Sequence, residues 1–582
     1  MSPPFHDEPR GPDTVRLAVD QPVGALDALR PDLRAAVVGQ GLPFAWPEAA
    51  RREAESLGGR VKAGETARRV DLRELPFVTI DGEDAKDFDD AVHARREPSG
   101  QWTLFVAIAD VAHYVKPASA LDLEARLRGT SAYFPDFVIP MLPEALSNGL
   151  CSLKPGVDRL AISCEMRFAV DGEMLDYRFH EAVIHSRARL TYSGVANQLA
   201  LADKQRRGTP PVPAALAGNL ADLHELFGIL HRRRAGLGAI EFETVETRIV
   251  LDGGGAVREI VPVERNDAHR LIEECMLCAN VAAARLLRRS SLPALYRVHQ
   301  TPEAEKLADL REYLRGLGLS LGGGDQPQPA DYRRLLGQIH ARPEREVLQT
   351  LLIRSMSQAV YQPENIGHFA LGFPCYTHFT SPIRRYPDLL VHRALRCLIR
   401  AGIASTTSAK KFSPGKAYPY NASAMAELGE ACSAAERRAD AAGYQSVNWL
   451  KCEYLRDHVG DEFEGVVSAV TGFGLFVQLK GFHIDGLIHI SMLGDDYYHH
   501  DPVQHFLEGE RKGGIFRLGD SIAVQVLGVI PEEQKIELRP AGASELGAGP
   551  GRKRFGRRHA GRGGNRSKQA RGRGGPSRRR YP

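Results

Sequence analysis

The chain has few of the features that mark secreted or membrane-spanning proteins. Its 582 residues contain no apolar run of about eighteen residues, which a helix needs to cross a bilayer. The first ten residues are rich in proline and charge and lack the apolar stretch of a secretory signal. The 8 cysteines are scattered, most among apolar neighbours, as expected for free thiols in a reducing compartment. We therefore expect a cytoplasmic protein without a membrane partner.

Acidic residues are absent from residues 551–582, although this segment contains 13 lysines and arginines. Since the net charge of the whole chain is +4, residues 1–550 carry −9. Residues 541–582 hold too few apolar side chains to form a core, so we expect a disordered, basic, Gly/Arg-rich tail. An acidic body with a basic tail is typical of nucleic-acid-binding proteins. A tail that only increases solubility is the alternative interpretation.

The densest cluster of acids lies between two predicted strands, Val78–Ile80 and Thr103–Ile108. The cluster consists of Asp81, Glu83, Asp84, Asp87, Asp89 and Asp90. Two ionised carboxylates about 4 Å apart repel by roughly 4 kcal/mol at an effective dielectric near 20, so the cluster either spreads into solvent or holds cations. The interleaved apolar residues Ile80, Phe88 and Val92 favour a folded loop that aims the carboxylates.

Ligand chemistry narrows the choice of cation. Oxygen ligands suit magnesium, manganese or calcium rather than zinc. The calcium loop of an EF-hand is excluded, because the glycine and the distal glutamate that it requires do not follow Asp87-Phe-Asp89. Paired magnesium ions about 3.5–4 Å apart are a common device for phosphodiester cleavage. The loop therefore predicts metal-dependent phosphoryl chemistry.

Strand and helix patterns mix along the chain and predict an α+β fold. We expect residues 1–70 to form a partly ordered leader and residues 71–457 to form one large domain. Further strands are predicted at Leu160–Val170 and Thr247–Leu251. Helices are predicted at Ala268–Arg288, Pro302–Gly316, Asp388–Arg400 and Ala424–Asp457. Residues 322–329 and 405–415 have the composition of loops.

Residues 461–540 contain short alternating strands that predict a five-stranded OB-type barrel. The strands are predicted at Phe463–Val470, Gly474–Leu479, Gly486–Ile490, Ser521–Val526 and Lys535–Leu538. Phe473, Phe476 and His489 are candidates for a face on which single-stranded bases stack. Each is otherwise a core residue, but the Thr-Gly-Phe-Gly turn favours exposure of Phe473.

Five motifs occur together in one order: Thr79–Asp90, Tyr133-Phe-Pro, Ile139–Pro143, His378–Asp388 and Ala435-Glu-Arg437. Together they resemble the ribonuclease II/ribonuclease R family of RNB exoribonucleases. The predicted barrel resembles the S1 RNA-binding domain that follows the catalytic domain in that family. The basic tail and the Gly-Glu-Asp form of the acidic loop are more similar to the ribonuclease R branch. The resemblance covers roughly residues 71–540.

The resemblance implies processive 3′-to-5′ hydrolysis of single-stranded RNA to nucleoside 5′-monophosphates. It implies magnesium as the cofactor, with manganese as the alternative, held by Asp81, Asp87, Asp89 and Asp90. Asp89 matches the aspartate that the family needs for cleavage. The expected partners are RNA 3′ ends, with the ribosome and RNA-decay factors as further candidates for a monomeric enzyme.

The resemblance also assigns the residues that hold the RNA. Arg384 matches the arginine that holds the scissile phosphate, and Arg385 is the alternative residue for this role. A purely structural role for Arg384, in an ion pair with a carboxylate, is the other interpretation. Tyr133 and Phe242 match the aromatic residues that stack on the terminal base. Glu273 matches a residue near the terminal ribose, and Glu436 matches one near the leaving end of the substrate. On composition alone, the two aromatic residues would be assigned to the core. Stacking tolerates any base, as a sequence-independent exonuclease requires.

Family members usually carry two cold-shock-type barrels ahead of the catalytic domain, and 70 residues are too few for two. Either the protein is naturally short or its assigned start lies inside the gene. Catalysis should not depend on those barrels, because all the matched site residues lie within 81–436.

Two other functions compete with the exoribonuclease. A non-catalytic RNA-binding relative would be expected to lose one of the four matched aspartates, and all four are present. A ribosome-associated S1 protein would leave residues 71–457 unexplained.

Deleting residues 551–582 should weaken RNA binding and flatten its dependence on salt, because each lysine or arginine on a phosphate releases condensed counterions. The measurement is the affinity for a labelled RNA strand across a salt series. Equal affinity of the full and shortened chains at low salt would contradict the prediction.

Overall fold

The computed structural model describes residues 26–204, 213–242, 246–263, 265–342, 344–406 and 418–541. These residues belong to the first of two units, Met1–Ala541. The predicted tail lies outside the described residues, as does most of the predicted loop at 405–415. Among the described helices, none is long and apolar enough to cross a membrane.

A seven-stranded sheet forms the centre of the larger part of the chain, in the order β1-β8-β7-β4-β3-β2-β9. Its strands are β1 (Val70–Asp71), β2 (Val78–Asp81), β3 (Asp90–Arg96), β4 (Trp102–Ala109), β7 (Asp158–Phe168), β8 (Met174–His185) and β9 (Ala188–Thr191), with the hairpin β5 (Ala132–Tyr133) and β6 (Val138–Ile139) between them in the chain. The end strands β1 and β9 pair in parallel, and the inner strands pair antiparallel. All eight residues of β4 are buried, as expected of a central strand covered on both faces.

The strand β3 was not predicted from the sequence. It follows the acidic loop directly, so Asp81 ends one strand and Asp90 begins the next. Ala91, Val92, His93 and Ala94 are all buried between β2 and β4. Alanine, histidine and arginine favour strands weakly, and no alternation of polar residues marks the segment. The loop that carries the acids is therefore shorter than the sequence indicated.

Helices cover the sheet and include all four that the sequence predicts. They are α1 (Pro31–Gly39), α2 (Glu48–Leu57), α3 (Ala63–Thr66), α4 (Val111–Tyr114), α5 (Ala120–Arg128), α6 (Tyr192–Lys204), α7 (Ala217–Gly236), α8 (Asp267–Ser290), α9 (Ala304–Gly316), α10 (Pro329–Ile339), α11 (Arg345–Ser355), α12 (Tyr386–Arg400) and α13 (Ala422–Arg456). There are also two antiparallel two-stranded sheets among the described residues, β10 (Thr247–Leu251) with β11 (Val257–Pro262), and β12 (Tyr296–Val298) with β13 (Val360–Gln362). Asn266 caps α8 by accepting from the backbone of Ala268 and His269.

The predicted barrel closes with five strands in the order β14-β15-β16-β21-β20. The strands are β14 (Glu462–Thr471), β15 (Gly474–Leu479), β16 (Ile484–His489), β20 (Ser521–Ile530) and β21 (Lys535–Pro540), and β17 (Tyr498–Asp501), β18 (Phe506–Gly509) and β19 (Ile515–Arg517) form a separate small sheet. Gly474 is required where β15 begins, because a Cβ there would lie 2.2 Å from the carbonyl oxygen of Ile488.

A buried ion cluster joins the end of β4 to helix α12. The carboxylate of Asp110 accepts from Arg69 at 2.6 Å and also from Arg396. Burial alone would raise the pKa of Asp110, but the two guanidinium groups outweigh it and hold that pKa below its usual range. The cluster therefore fixes the helix against the sheet.

Replacing Asp110→Ala should lower the free energy of unfolding by about 3–5 kcal/mol, because two arginines would stay buried without their counter-ion. The low pKa of Asp110 adds a pH dependence: its stabilisation is complete above the ordinary value of about 3.9 and is lost as the pH falls further. Urea unfolding across this pH range is the measurement. Asp71→Asn is the control, because Asp71 pairs with Arg73 at an exposed position. Equal unfolding midpoints for wild type and Asp110→Ala would contradict the prediction.

Candidate active site

The acids of the loop between β2 and β3 differ in burial. Glu83 and Asp84 are exposed, Asp81, Asp87 and Asp90 are half-buried, and Asp89 is buried. The four matched aspartates are therefore the four less exposed ones.

Hydrogen bonds to Ser152 and Arg189 hold this loop in place. The backbone N–H of Phe88 donates to Ser152 Oγ at 3.0 Å, and that hydroxyl donates to the carbonyl of Lys86 at 2.7 Å. Arg189 donates to the carbonyl of Gly82 at 2.8 Å. The loop is therefore fixed by the protein without help from a ligand.

Asp89 is the most constrained of the four aspartates. Its side chain is 6% exposed, and its Oδ1 accepts from the backbone N–H of Ile383 at 2.9 Å. Its Oδ2 accepts no hydrogen bond and lies 3.7 Å from Nε of Arg384. Burial raises the pKa of Asp89 well above its usual range; Arg384 and the Ile383 N–H oppose the rise, and Asp87 and Asp90 add to it. The protein therefore compensates the ionised form of this buried carboxylate only in part.

The two adjacent arginines have different environments. Arg384 is half-buried, donates from Nη2 to Ser381 Oγ at 2.9 Å and lies beside Asp89. Arg385 is buried and donates from Nη2 to Asp388 at 2.9 Å. The same oxygen of Asp388 accepts from the backbone of Ser381 at 2.8 Å. Arg384 is therefore placed to meet a ligand at the acidic loop, whereas Arg385 is bound within the protein.

A divalent cation suits the acidic loop in its chemistry. A buried carboxylate oxygen without a hydrogen bond, close to other negative charges, is stabilised by a cation with oxygen ligands. Asp81, Asp87, Asp89 and Asp90 are the residues that would hold it. Within the described ranges, however, the one group of three whose ligand atoms all lie within 4.8 Å is His231, Glu241 and Glu274.

Tyr133 lies on a segment that is hydrogen-bonded to the arginines. The backbone N–H of Ser131 donates to the carbonyl of Arg384 at 2.9 Å, and Thr130 forms a bridge with Arg385. Tyr133 follows on β5 and is half-buried. The structure thus brings the Tyr133 segment beside the Arg384 segment.

The other predicted contact residues lie on separate elements. Phe242 is half-buried against the core cluster that includes Ile249 and Phe369. Glu273 lies on α8 and accepts from Arg265. Glu436 lies on α13 and accepts from Arg297 at 2.7 Å. Both glutamates are therefore already ion-paired.

The barrel presents its three predicted residues on one outer face. Phe476 pairs with Leu487 and Gly474 with His489 across β15 and β16, and inward neighbours such as Leu475 and Ile488 are buried. Phe473 is 51% exposed, as its glycine-flanked turn predicts. The rings of Phe473 and Phe476 meet edge to face with centroids 6.1 Å apart. An aromatic surface of this kind is suited to stacking bases.

The backbone N–H of Ile383 and the hydroxyl of Ser381 also contact the site and were not singled out from the sequence. No side-chain pattern marks a backbone donor, and serine is too common to signal a role. The His378–Asp388 motif was the one available indication, since it contains both residues.

Comparison with known proteins agrees with this arrangement of sheet, acidic loop and barrel. The RNB domain family model matches residues 69–401, and the S1 RNA binding domain model matches residues 456–539. The chain belongs to the RNB family. Ribonuclease R of Vibrio parahaemolyticus is 49% identical over 511 residues, which cover 88% of this chain and 60% of that protein. Ribonuclease R of Escherichia coli is 48% identical over 498 residues, covering 85% of this chain and 60% of that protein.

Solved structures agree with the fold. The apo form of Mycoplasma genitalium RNase R has a TM-score of 0.81 and 28% identity, covering 88% of this chain and 78% of that chain. The same protein in complex with ribose-methylated single-stranded RNA has a TM-score of 0.80 at the same identity and coverage. The chain spans 60% of the length of the two curated relatives described above.

The environments of the two arginines predict losses of stability of different size. Arg385→Gln should lower the thermal unfolding midpoint by several degrees, because Asp388 is fully buried and would lose its counter-ion. Arg384→Gln, the matched control, should shift it much less, because Asp89 can neutralise itself by binding a proton. Thermal unfolding followed by circular dichroism is the measurement, and a larger loss in Arg384→Gln would contradict this reading.

Proposed function

We propose that the protein is a processive 3′-to-5′ exoribonuclease that hydrolyses single-stranded RNA to nucleoside 5′-monophosphates. The observation that carries this proposal is the junction of Asp89 with Ile383 and Arg384. There a buried carboxylate, two neighbouring acids and a guanidinium lie around one point. The membership in the RNB family supports it, and so does the naming of its relatives as Ribonuclease R.

Arg384 binds the scissile phosphate in this proposal. Its guanidinium is permanently charged and offers donors to two phosphate oxygens. Ser381 accepts from one nitrogen at 2.9 Å, and Nε lies 3.7 Å from the carboxylate of Asp89, so the guanidinium is held beside the acidic loop. Helix α12 begins at Tyr386, so its N-terminal dipole adds to the positive potential at this point.

Asp81, Asp87, Asp89 and Asp90 hold the divalent cation, which we propose to be magnesium. When bound, it supplies charge stabilisation at the phosphate and lowers the pKa of the attacking water. Asp89 is central because Ile383 fixes one of its oxygens and directs the other toward the ligand.

Tyr133 and Phe242 stack on the terminal bases in this proposal, and Glu273 accepts a hydrogen bond from the ribose 2′-hydroxyl. A 2′-hydroxyl contact is what distinguishes RNA from DNA. Glu273 also accepts from Arg265, and a carboxylate has enough acceptor sites for both. Glu436 lies toward the leaving end, held by Arg297. The outer face formed by Phe473, Phe476 and His489 binds the strand without regard to sequence.

Incubating the full chain with magnesium and a 5′-labelled poly(A) strand tests the activity. We expect a ladder that shortens from the 3′ end to a small limit product, release of 5′-monophosphates, and no shortening of the matching DNA. Asp89→Asn should abolish the ladder, and chelation of the metal should stop it.

Asp84→Asn is the matched control, because it removes the same charge from an exposed position on the same loop. It should leave the ladder intact. Internal fragments, or an unchanged ladder with Asp89→Asn, would refute the mechanism. RNA binding without any shortening by the wild type would indicate a non-catalytic relative.

A further inference from the structure

A second charged cluster lies away from the acidic loop and joins helices α7 and α8 to the segment that carries Phe242. Arg234 on α7 donates from Nε to Glu274 at 2.6 Å and from Nη2 to Glu241 at 2.5 Å. His231, one turn earlier, lies 3.4 Å from the same oxygen of Glu274 and 3.8 Å from Glu241. One guanidinium and one imidazole therefore bridge two carboxylates from different parts of the chain.

The cluster has the spacing of a metal site, but a metal is not needed to explain it. His231, Glu241 and Glu274 have ligand atoms within 4.8 Å of one another. The guanidinium of Arg234 already pairs with both carboxylates, and its side chain is 10% exposed. A metal ion would have to displace a buried arginine and leave it without a partner, which is costly. Arg234 is the cation of this cluster, so the cluster serves to hold chain segments in position.

The two bridged carboxylates each adjoin a residue of the proposed RNA site. Glu241 immediately precedes Phe242, and Glu274 immediately follows Glu273. Glu274 is 4% exposed and fixed on the long helix α8, whereas Glu241 is 49% exposed on an irregular segment. In the described part of that segment, the backbone N–H of Ile240 donates to the carbonyl of Ala370 at 3.1 Å. The bridge through Arg234 thus connects an exposed, irregular segment to a long helix.

We propose that Arg234, supported by His231, is a positioning residue that holds Phe242 for base stacking by tying Glu241 to Glu274. This inference rests on the proposed role of Phe242 in RNA binding. Arg234 touches no substrate itself; it acts by limiting the orientations of Phe242. An aromatic ring that is already oriented loses less conformational freedom when a base stacks on it.

The charges around His231 agree with this role. It faces Glu274 on α8, Glu241 on the adjoining segment and Arg234 on its own helix, with Phe227 5.6 Å away between ring centroids. The hydrogen bond to Glu274 and the charge of Glu241 raise the pKa of His231. With Glu273 and its partner Arg265 included, three carboxylates face two arginines, so a protonated His231 completes the charge balance.

A double-mutant cycle separates positioning from general stability. The binding of a 5′-labelled RNA strand of about six nucleotides is measured by fluorescence anisotropy, with Asp89→Asn in every protein to prevent cleavage. Loss of stacking on one ring corresponds to roughly 5- to 150-fold in affinity, so Phe242→Ala should weaken binding within that range. Arg234→Gln should weaken binding about tenfold when Phe242 is present and less than twofold when Phe242 is already alanine. Arg234→Lys should restore part of the loss.

The control is Arg233→Gln, which removes the neighbouring arginine of the same helix; Arg233 pairs with Asp171 at 2.8 Å, away from the Glu241 segment. It should leave the affinity unchanged. If Arg234→Gln does not fold, Glu241→Gln removes the same tie at a half-exposed position and should show the same coupling to Phe242→Ala.

The outcomes separate the stacking role of Phe242 from the positioning role of Arg234. If Phe242→Ala weakens binding but the effects of the two substitutions simply multiply, or if Arg234→Gln has no effect, the positioning role is overturned while the RNA site stands. If Phe242→Ala leaves the affinity unchanged, the stacking role fails and the positioning role fails with it.

Discussion

The burial of the Asp89 carboxylate is the constraint on which the candidate site depends. Asp89 sits at the end of a loop between two strands of the central sheet, almost without solvent, and is met by Ile383 and Arg384. A charged group in such a place is costly unless other groups or ions compensate it. One backbone donor and one distant guanidinium do so only in part, which is why burial still raises its pKa. The incomplete compensation makes the loop a place for a cation and a phosphate.

The segment that delivers Ile383 and Arg384 is held by groups that have no contact with a ligand. Asn280 on α8 accepts from the backbone of Phe379 at 2.8 Å, and Asp388 on α12 accepts from that of Ser381. Stability and function are thus divided between adjacent residues. Arg385 pairs with Asp388 inside the fold, and the half-buried Arg384 lies beside Asp89. If Arg385 turned outward as Arg384 does, the buried carboxylate of Asp388 would lose its partner.

The sequence predicted those parts of the structure that depend on local pattern. Trp102–Ala109 is marked by a continuous apolar run, and the long helices α8 and α13 and the five barrel strands are marked by periodicity. The strand β3 was missed, because its buried residues include a histidine and two alanines and owe their place to neighbours on both sides.

The site was predictable only in part, because the orientations of its side chains depend on partners that are distant in the chain. The acidic cluster and the resemblance identified Asp89 and Arg384. No local pattern could show that Arg385 turns inward to Asp388, or that Glu273 and Glu436 are ion-paired. Partners distant in the chain decide these orientations, and pairwise contacts of that kind leave no periodic signal.

The tie between Asp89 and Ile383 spans 294 residues of chain. During synthesis the acidic loop leaves the ribosome long before its partner segment has been translated. Until then Asp89 lacks its backbone donor and the guanidinium that accompanies it. The contact between Asp89 and Ile383 can therefore form only after about two thirds of the chain has been synthesised.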